Sequence, residues 1–332
     1  MVGIPECALD SCLVNPVKGR RVHRGKVRDT YELTPELLLF LATDRLSIFD
    51  FVLPTLVPRK GEILTALTHF WLKNVFPDLP NHLAVCDLEM EKKFFNSKGI
   101  PRNALLVRRL SMMPYELIFR HHIGGSVYKG YQKTGLAAGQ KIVSGLPKWS
   151  ALDRPICTPS TKAQEGHDIN IDLNECLIGM GPFSEKAIKM LTEAYGRAYA
   201  YAKERGILIL DTKFELGVKN GDYILADEFL TPDSSRFTTV ADFELAMRDG
   251  RDPIFLDKEP ARNWGRTVIT PFTGEDDEPI IGINKLDPAN DQHVNFVHSL
   301  KVPREVIQII MNRYLEVFEI LTGCSIDDYV FD

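Results

Sequence analysis

Apolar residues at Ile63, Leu64, Leu67, Phe70, Trp71 and Val75 keep helical spacing and predict a helix over 61–76. A longer stripe of Ala187, Ile188, Leu191, Ala194, Tyr195, Ala198 and Ala202 predicts a second helix, with Ser184 as its cap and Gly206 at its end. A last helix is expected from Pro303 to Thr322, stopped by Gly323. Short apolar runs read as strands at 22–31 and 36–43, joined by a turn containing Pro35, and again at 104–109 and 115–120. Segments 207–216 and 223–229 flank Lys-Asn-Gly-Asp, whose Asn-Gly pair signals a hairpin. The polar, Gly- and Pro-rich passage 121–171 is too long for an idle connection and reads as a functional loop. Residues 251–300 read as irregular and charged, and no internal repeat is present. Strands come first and helices later, with hairpins in place of regular βαβ units. That order predicts an α+β fold in two lobes, not a doubly wound parallel sheet.

The stretch GILILDTKFELG, residues 206–217, interrupts this pattern with Asp211, Lys213 and Glu215 at every second position. A strand alternates faces residue by residue, so all three charges point one way. The other arm of the hairpin supplies Asp227 and Glu228. Carboxylates from two adjacent strands could clamp a hard cation such as Mg²⁺. A solvated salt-bridge ladder across the hairpin explains the same charges equally well. Two neighbouring stretches favour chemistry. Arg120 precedes Gly124, Gly125 and Ser126, and TPDSSRF carries Arg236, which together suit a phosphate. Lys26 and Arg28, following Gly25 and read as one face of a strand, could lay cations along a polyphosphate. Neither a P-loop nor a dinucleotide-binding glycine turn is present. His121 and His122 are expected to point opposite ways, His167 reads as a loop hydrogen-bonder, and Cys157 has no catalytic constellation.

Composition narrows the class. The chain has 332 residues, 44% apolar and 26% charged, with a net charge of −5. It therefore lacks the basic surplus that nucleic-acid binding needs. The six cysteines are scattered without a CxxC pair, as expected of free thiols in a reducing compartment. The N-terminus carries no signal-peptide pattern, and the longest apolar runs, such as LLLFLA at 37–42, are too short to span a bilayer. A cytoplasmic protein with no membrane partner is expected.

Several stretches in order resemble the SAICAR synthetase family of purine biosynthesis: RGKVRDTYEL, ATDRLSIFDFVLP, PRKGEILTALTHFW, RPICTPSTKAQEGHDINI, ILILDTKFELG, ILADEFLTPDSSRF and DKEPARNW. They cover residues 24 to about 264. The resemblance implies an ATP-dependent ligase joining L-aspartate to carboxyaminoimidazole ribonucleotide (CAIR) through an acyl phosphate, releasing ADP and phosphate. It implies antiparallel sheets around an ATP cleft, a relation to ATP-grasp enzymes and protein kinases, and room for a homo-oligomer. Residues 1–115 would form the lobe covering the ATP phosphates, and 116–332 the lobe with the metal, ribonucleotide and aspartate sites. By the same resemblance Gly25, Lys26 and Arg28 meet ATP, and Glu215 and Asp227 hold Mg²⁺. Arg120, Ser126, Arg236, Lys258 and Arg262 grip the ribonucleotide. Lys213, Asp211 and Arg120 would serve catalysis, Lys213 by neutralising charge as the acyl phosphate forms. Asp44 and Asp50 fall in a nucleotide-side motif without an assigned role, and the aspartate site is expected near the loop 159–168. The sequence departs from the family's usual RGYLTGSGW, reading RHHIGGSVY, and carries Thr238 where Trp usually follows DSSRF. These departures keep two alternatives in view: a paralogous carboxylate–amine ligase acting on a related substrate, and a non-enzymatic nucleotide-binding protein.

Overall fold

The computed structural model describes residues 3–5, 8, 18–162, 169–274 and 277–331. The first sheet is built from β1 (Arg20–Arg24), β2 (Arg28–Thr34) and β3 (Leu37–Ala42). The single strand expected over 22–31 is thus two strands. The Gly25 amide donates to the Arg28 carbonyl at 2.7 Å and closes a tight turn. The cause lies outside the stretch. Arg45, fully buried, donates to the carbonyls of Lys26 and Gly25 at 3.0 Å each and to Asp29 at 2.6 Å. Lys26 therefore sits on the turn and shares no strand face with Arg28.

The chain continues through β4 (Arg45–Ile48) and β5 (Phe51–Leu56), a hairpin whose two turn residues, Phe49 and Asp50, both have positive φ. Then come α1 (Lys60–Phe70), a π-type turn at Trp71–Val75, α2 (Leu88–Phe95) and β6 (Ala104–Arg108). Strand β6 lies beside β3 and completes the order β1–β2–β3–β6.

A second, seven-stranded sheet is organised around one long strand. Its members arrive as β7 (Ser111–Met112), β8 (Tyr115–His122), β11 (Ala151–Cys157), β12 (Ser160–Thr161), β13 (Ile207–Lys219), β14 (Asp222–Ala226) and β15 (Ser235–Thr239). Between β8 and β11 lie α3 (Tyr128–Thr134) and the small pair β9 (Leu136–Ala137) and β10 (Gln140–Lys141). The passage 121–171 therefore contains regular elements where a loop was expected. Strand β13 pairs antiparallel with β15 and β8 in its first half and with β14 and β7 in its second.

Helices α4 (Leu173–Met180) and α5 (Ser184–Glu204) precede β13, and α6 (Val240–Asp249) follows β15. Ser184 does not cap α5. Phe183, in a left-handed conformation, occupies the cap position without a side-chain hydrogen bond. The segment 251–300 also holds more structure than its composition suggests: α7 (Glu259–Thr267), the pair β16 (Ile269–Thr273) and β17 (Pro279–Ile281), and α8 (Asp291–Ser299). Helix α9 (Arg304–Thr322) ends the fold at Gly323, as its sequence predicts.

The antiparallel sheets and segregated helices are those of an α+β protein. One apolar core runs through α1, α5, β13 and α9, so residues before and after position 115 share it. Trp71, fully buried, ties α1 to the site region by donating its indole N–H to the Leu230 carbonyl at 2.9 Å. No helix among the described residues is long and apolar enough to cross a membrane.

Candidate functional site

Strand register builds the first half of the site. Asp211 on β13 stands opposite Arg120 on β8 and Arg236 on β15. Three neighbouring strands thus bring a carboxylate between two guanidinium groups, and both donate to Asp211 Oδ2. Arg120 is 2% exposed and spends its Nε on Thr158 Oγ1 at 2.8 Å. Burial pushes the Arg120 guanidinium down and Asp211 opposes that shift; the same carboxylate pushes Arg236 up. Gly125, at φ 64°, turns the chain over this clamp, where a Cβ would lie 2.8 Å from Arg236 Nη1. Only a glycine fits both the angle and the gap. Ser126, Lys213, Arg236 and Arg262 then line one cleft of about 180 Å³.

Lys258 lies behind this cleft, not on its lining. It is 3.5 Å from Asp233 Oδ1, while Lys60 from α1 is 2.8 Å from Oδ2 and Tyr314 of α9 donates to the same carboxylate. Burial opposes ionisation of Asp233, yet Lys258 and Lys60 hold it well below the usual carboxylate range. Lys258 itself is pushed down by burial.

The second half of the site lies further along the same strand. Asp211, Lys213 and Glu215 share a face, as their spacing predicts, but the trio is ion-paired and Glu215 is only 1% exposed. Asp227 follows β14 directly, at φ 62°. Lys162 bonds to Glu215 Oε2 and stands 4.0 Å from Asp227 Oδ2, so both carboxylates meet at one ammonium. Lys213 reaches Glu116 at 2.6 Å and Glu215 at 3.2 Å. Burial lowers its affinity for a proton, but Glu215 and Glu116 outweigh that and keep Lys213 charged. It can stabilise negative charge and cannot act as a neutral base at pH 7. No group of three or more His, Cys, Asp or Glu forms a metal cluster among the described residues. Two convergent carboxylates facing one cation are nonetheless the oxygen donor set that suits Mg²⁺, which takes its remaining ligands from water and phosphate.

The first sheet covers this end. Arg28 pairs with Asp227, lies 4.0 Å from Glu228 and stacks over the Phe40 ring at 5.1 Å. Burial works against its charge, but Asp227 and Glu228 raise the guanidinium further. Lys26 pairs with Asp50. Asp44 accepts the Gly61 and Arg59 amides at 2.9 and 3.2 Å and so anchors the start of α1. Phe40, Leu64, Thr65 and Leu105 line a small crevice beside Arg28 and Asp227, closed to about 20 Å³. A larger cleft, about 900 Å³, lies elsewhere, between Phe183, Lys219 and Tyr223 at the turn of the β13–β14 hairpin. It contains neither the clamp nor the acidic pair.

Of the residues expected to act, Arg120, Ser126, Asp211, Lys213, Arg236 and Arg262 come together in one cleft. Glu215 and Asp227 join them through Lys213 and Lys162. Lys162, Glu116, Asp233 and Arg45 were not foreseen, although Lys162 and Asp233 stand inside the motifs PSTKA and DSSRF. His121 and His122 do not diverge fully. His121 stacks on Tyr199 at 4.1 Å, and His122 Nε2 is 3.2 Å from the Tyr199 hydroxyl. Burial pushes the Cys157 thiol far up, so it is no nucleophile. His167 and most of the loop 159–168 lie outside the described residues, as do Cys7 and Cys12.

A family model described as SAICAR synthetase matches residues 21–279. A phosphoribosylaminoimidazole-succinocarboxamide synthase of Pasteurella multocida is 39% identical over 313 residues, covering 91% of this chain and 98% of its own. The protein of that name from Saccharomyces cerevisiae is 36% identical, covering 91% and 94%. In three dimensions the chain is similar to a SAICAR synthase from Saccharomyces cerevisiae solved in complex with SAICAR. There the TM-score is 0.75 at 32% identity, over 98% of this chain and 99% of that one.

Proposed function

The chain belongs to the SAICAR synthetase family, and from that premise we propose that it condenses CAIR with L-aspartate, at the cost of ATP, to give SAICAR, ADP and phosphate. The observation that carries this reading is the order of groups along β13. The Arg120–Asp211–Arg236 clamp, the charged Lys213 and the Glu215–Asp227 pair follow one another on one face. Successive residues of that face are about 7 Å apart. A phosphorylated ligand at one end and a polyphosphate at the other would thus meet near Lys213.

Arg120, Ser126, Arg236 and Arg262 grip the ribonucleotide, and Lys258 adds positive charge from behind Asp233. Asp211 fixes the two guanidinium groups so that their remaining N–H donors face the substrate. Gly25, Lys26 and Arg28 form the turn over the ATP phosphates, with the first sheet as the covering wall of the cleft. That layout, with lobes meeting near position 115, is what relates the architecture to ATP-grasp enzymes and kinases. Glu215 and Asp227 hold Mg²⁺, which when bound neutralises phosphate charge. Lys162, 43% exposed at its side chain, is the cation they exchange for it. A carboxylate is a poor acyl donor, so the CAIR carboxylate takes the γ-phosphoryl group first. Lys213 stabilises the charge that develops there, and the aspartate amine then displaces phosphate.

A paralogous ligase for a related substrate is the second reading, and one observation weighs against it. The residues that depart from the family's usual form do not line the cleft. His121 and His122 contact Tyr199, Val127 packs in a separate apolar cluster, and Thr238 is fully buried.

The test is ADP release with Mg-ATP, CAIR and L-aspartate, omitting each in turn. Turnover requiring all three, with SAICAR identified by mass, is expected. Silence from a folded protein that still binds Mg-ATP would move the search to other carboxylates and amines.

A further inference from the structure

Trp149 belongs to none of the motifs above, yet four separate interactions fix it against the clamp. It is 3% exposed and held at φ 68°, a left-handed conformation unusual for a bulky residue. Its backbone is locked to the segment before Gly124. The Trp149 amide donates to the Ile123 carbonyl at 2.7 Å, and His122 Nδ1 lies 2.9 Å from the Trp149 carbonyl. Its indole N–H donates to Asp252 Oδ1 at 2.8 Å, and the ring packs edge-on against Phe255. The anchored ring then lies against both Gly124 and Arg236. A Cβ at Gly124 would fall 2.2 Å from two of its carbons, and the Arg236 guanidinium sits 5.7 Å from its centroid.

We propose that Trp149 is a positioning residue for the ribonucleotide clamp: its indole, moored on Asp252, wedges Arg236 against Asp211 and sets the height of Gly124–Ser126 over the cleft. The inference rests on the ribonucleotide reading above. Arg236 is a long side chain, 32% exposed, with one carboxylate on one side. A second rigid contact on the other side removes the rotamers that would point it away from the cleft.

Glycine at 124 is the one residue that leaves room for the ring, and Leu208, which packs in one apolar cluster with Trp149, stands opposite Thr238 on β15.

The test is a double-mutant cycle read by steady-state kinetics. Trp149→Ala should raise the KM for CAIR at least tenfold while the KM for ATP stays within twofold. Gly124→Thr alone should do the same, because its methyl group meets the ring. The double variant Trp149→Ala/Gly124→Thr should recover most of the loss, since the threonine then fills the vacated space. Should Trp149→Ala not fold, Trp149→Phe removes the indole donor and Asp252→Leu removes its acceptor at similar volume; each cuts the mooring and should shift the CAIR KM severalfold in the same direction. Additive single effects, or equal rises in both KM values, would overturn the wedge with the proposed reaction intact. A wild-type protein that neither binds nor turns over CAIR would instead sink the reaction, and the wedge with it.

Discussion

Asp211 of the clamp and Glu215 of the acidic pair lie on one strand, but the two groups are held in different ways. The clamp is made by adjacent strands: Arg120 and Arg236 are the ladder partners of Asp211 itself. The backbone positions of its three residues are therefore as fixed as the sheet. The acidic pair is satisfied by long side chains off the ladder: Lys162 beyond β12, Lys213 two residues before Glu215, and Arg28 from the other sheet. Lys162 is partly exposed and can leave without breaking any ladder. One end of the cleft is thus prebuilt, and the other is charge-balanced by groups that can change partners, as the proposed metal and polyphosphate sites require.

This contrast predicts unequal costs. Asp211→Ala leaves the buried Arg120 and its neighbour Arg236 without a counter-charge. It should cost about 3–5 kcal/mol in urea unfolding. Glu215→Ala removes an equally buried carboxylate whose partners reach solvent, and should cost about 1 kcal/mol. Equal losses would erase the distinction between the two ends.

Activity should invert that order. Glu215→Gln and Asp227→Asn should each lower turnover by roughly 10²-fold or more at saturating Mg²⁺, with the unfolding midpoint almost unmoved. Unchanged ADP release in either variant would remove that residue from the metal site.

Each region also contains one buried histidine, His122 beside the clamp and His82 beside Arg28 and Asp227. Burial pushes both down, to about 4 from an ordinary 6.5. The unfolded chain then binds protons at higher pH than the folded one. Their effect on stability is absent above about pH 6.5 and grows as a loss from there down to about pH 4. Each contributes up to about 1.4 kcal/mol per pH unit. His82→Leu and His122→Gln should flatten the acid limb separately. If neither does, the acid sensitivity lies in other groups.

The smallest effect is expected on the covering turn. Lys26→Ala removes a half-exposed pair with Asp50, so stability should change by about 0–1 kcal/mol. The KM for ATP should rise severalfold with no change for CAIR. An effect on CAIR instead would place Lys26 at the other end of the cleft.

What could be read from the sequence follows the range of the forces involved. The shared face of Asp211, Lys213 and Glu215 depends only on strand period, and the hairpin after it only on Asn-Gly, so both were legible. The break at Gly25 was not, because the side chain enforcing it, Arg45, lies 20 residues downstream. The same holds for Glu116, whose pairing with Lys213 depends on how β8 and β13 align. Strand β11 was hidden by the Gly- and Pro-rich composition around it, and its pairing with β8 is what makes it a strand. Lys258 carries the expected charge, but only the position of Asp233 turns it away from the cleft lining. The burial of the charged trio was missed for a related reason: a strand's period tells which side a residue faces and says nothing about what stands there.

Strand β13 has neighbours along its whole course, β15 and β8 first, then β14 and β7. At Asp211–Thr212 and again at Gly217–Val218 it is paired on both sides. In deuterium exchange its amides should be the molecule's slowest clock, outlasting those of β1, which is an outer strand of its sheet. The groups proposed to handle the substrates are thus carried on the thread that breathes least. The pace of entry and release must then be set by the turns and lysines that lean over it.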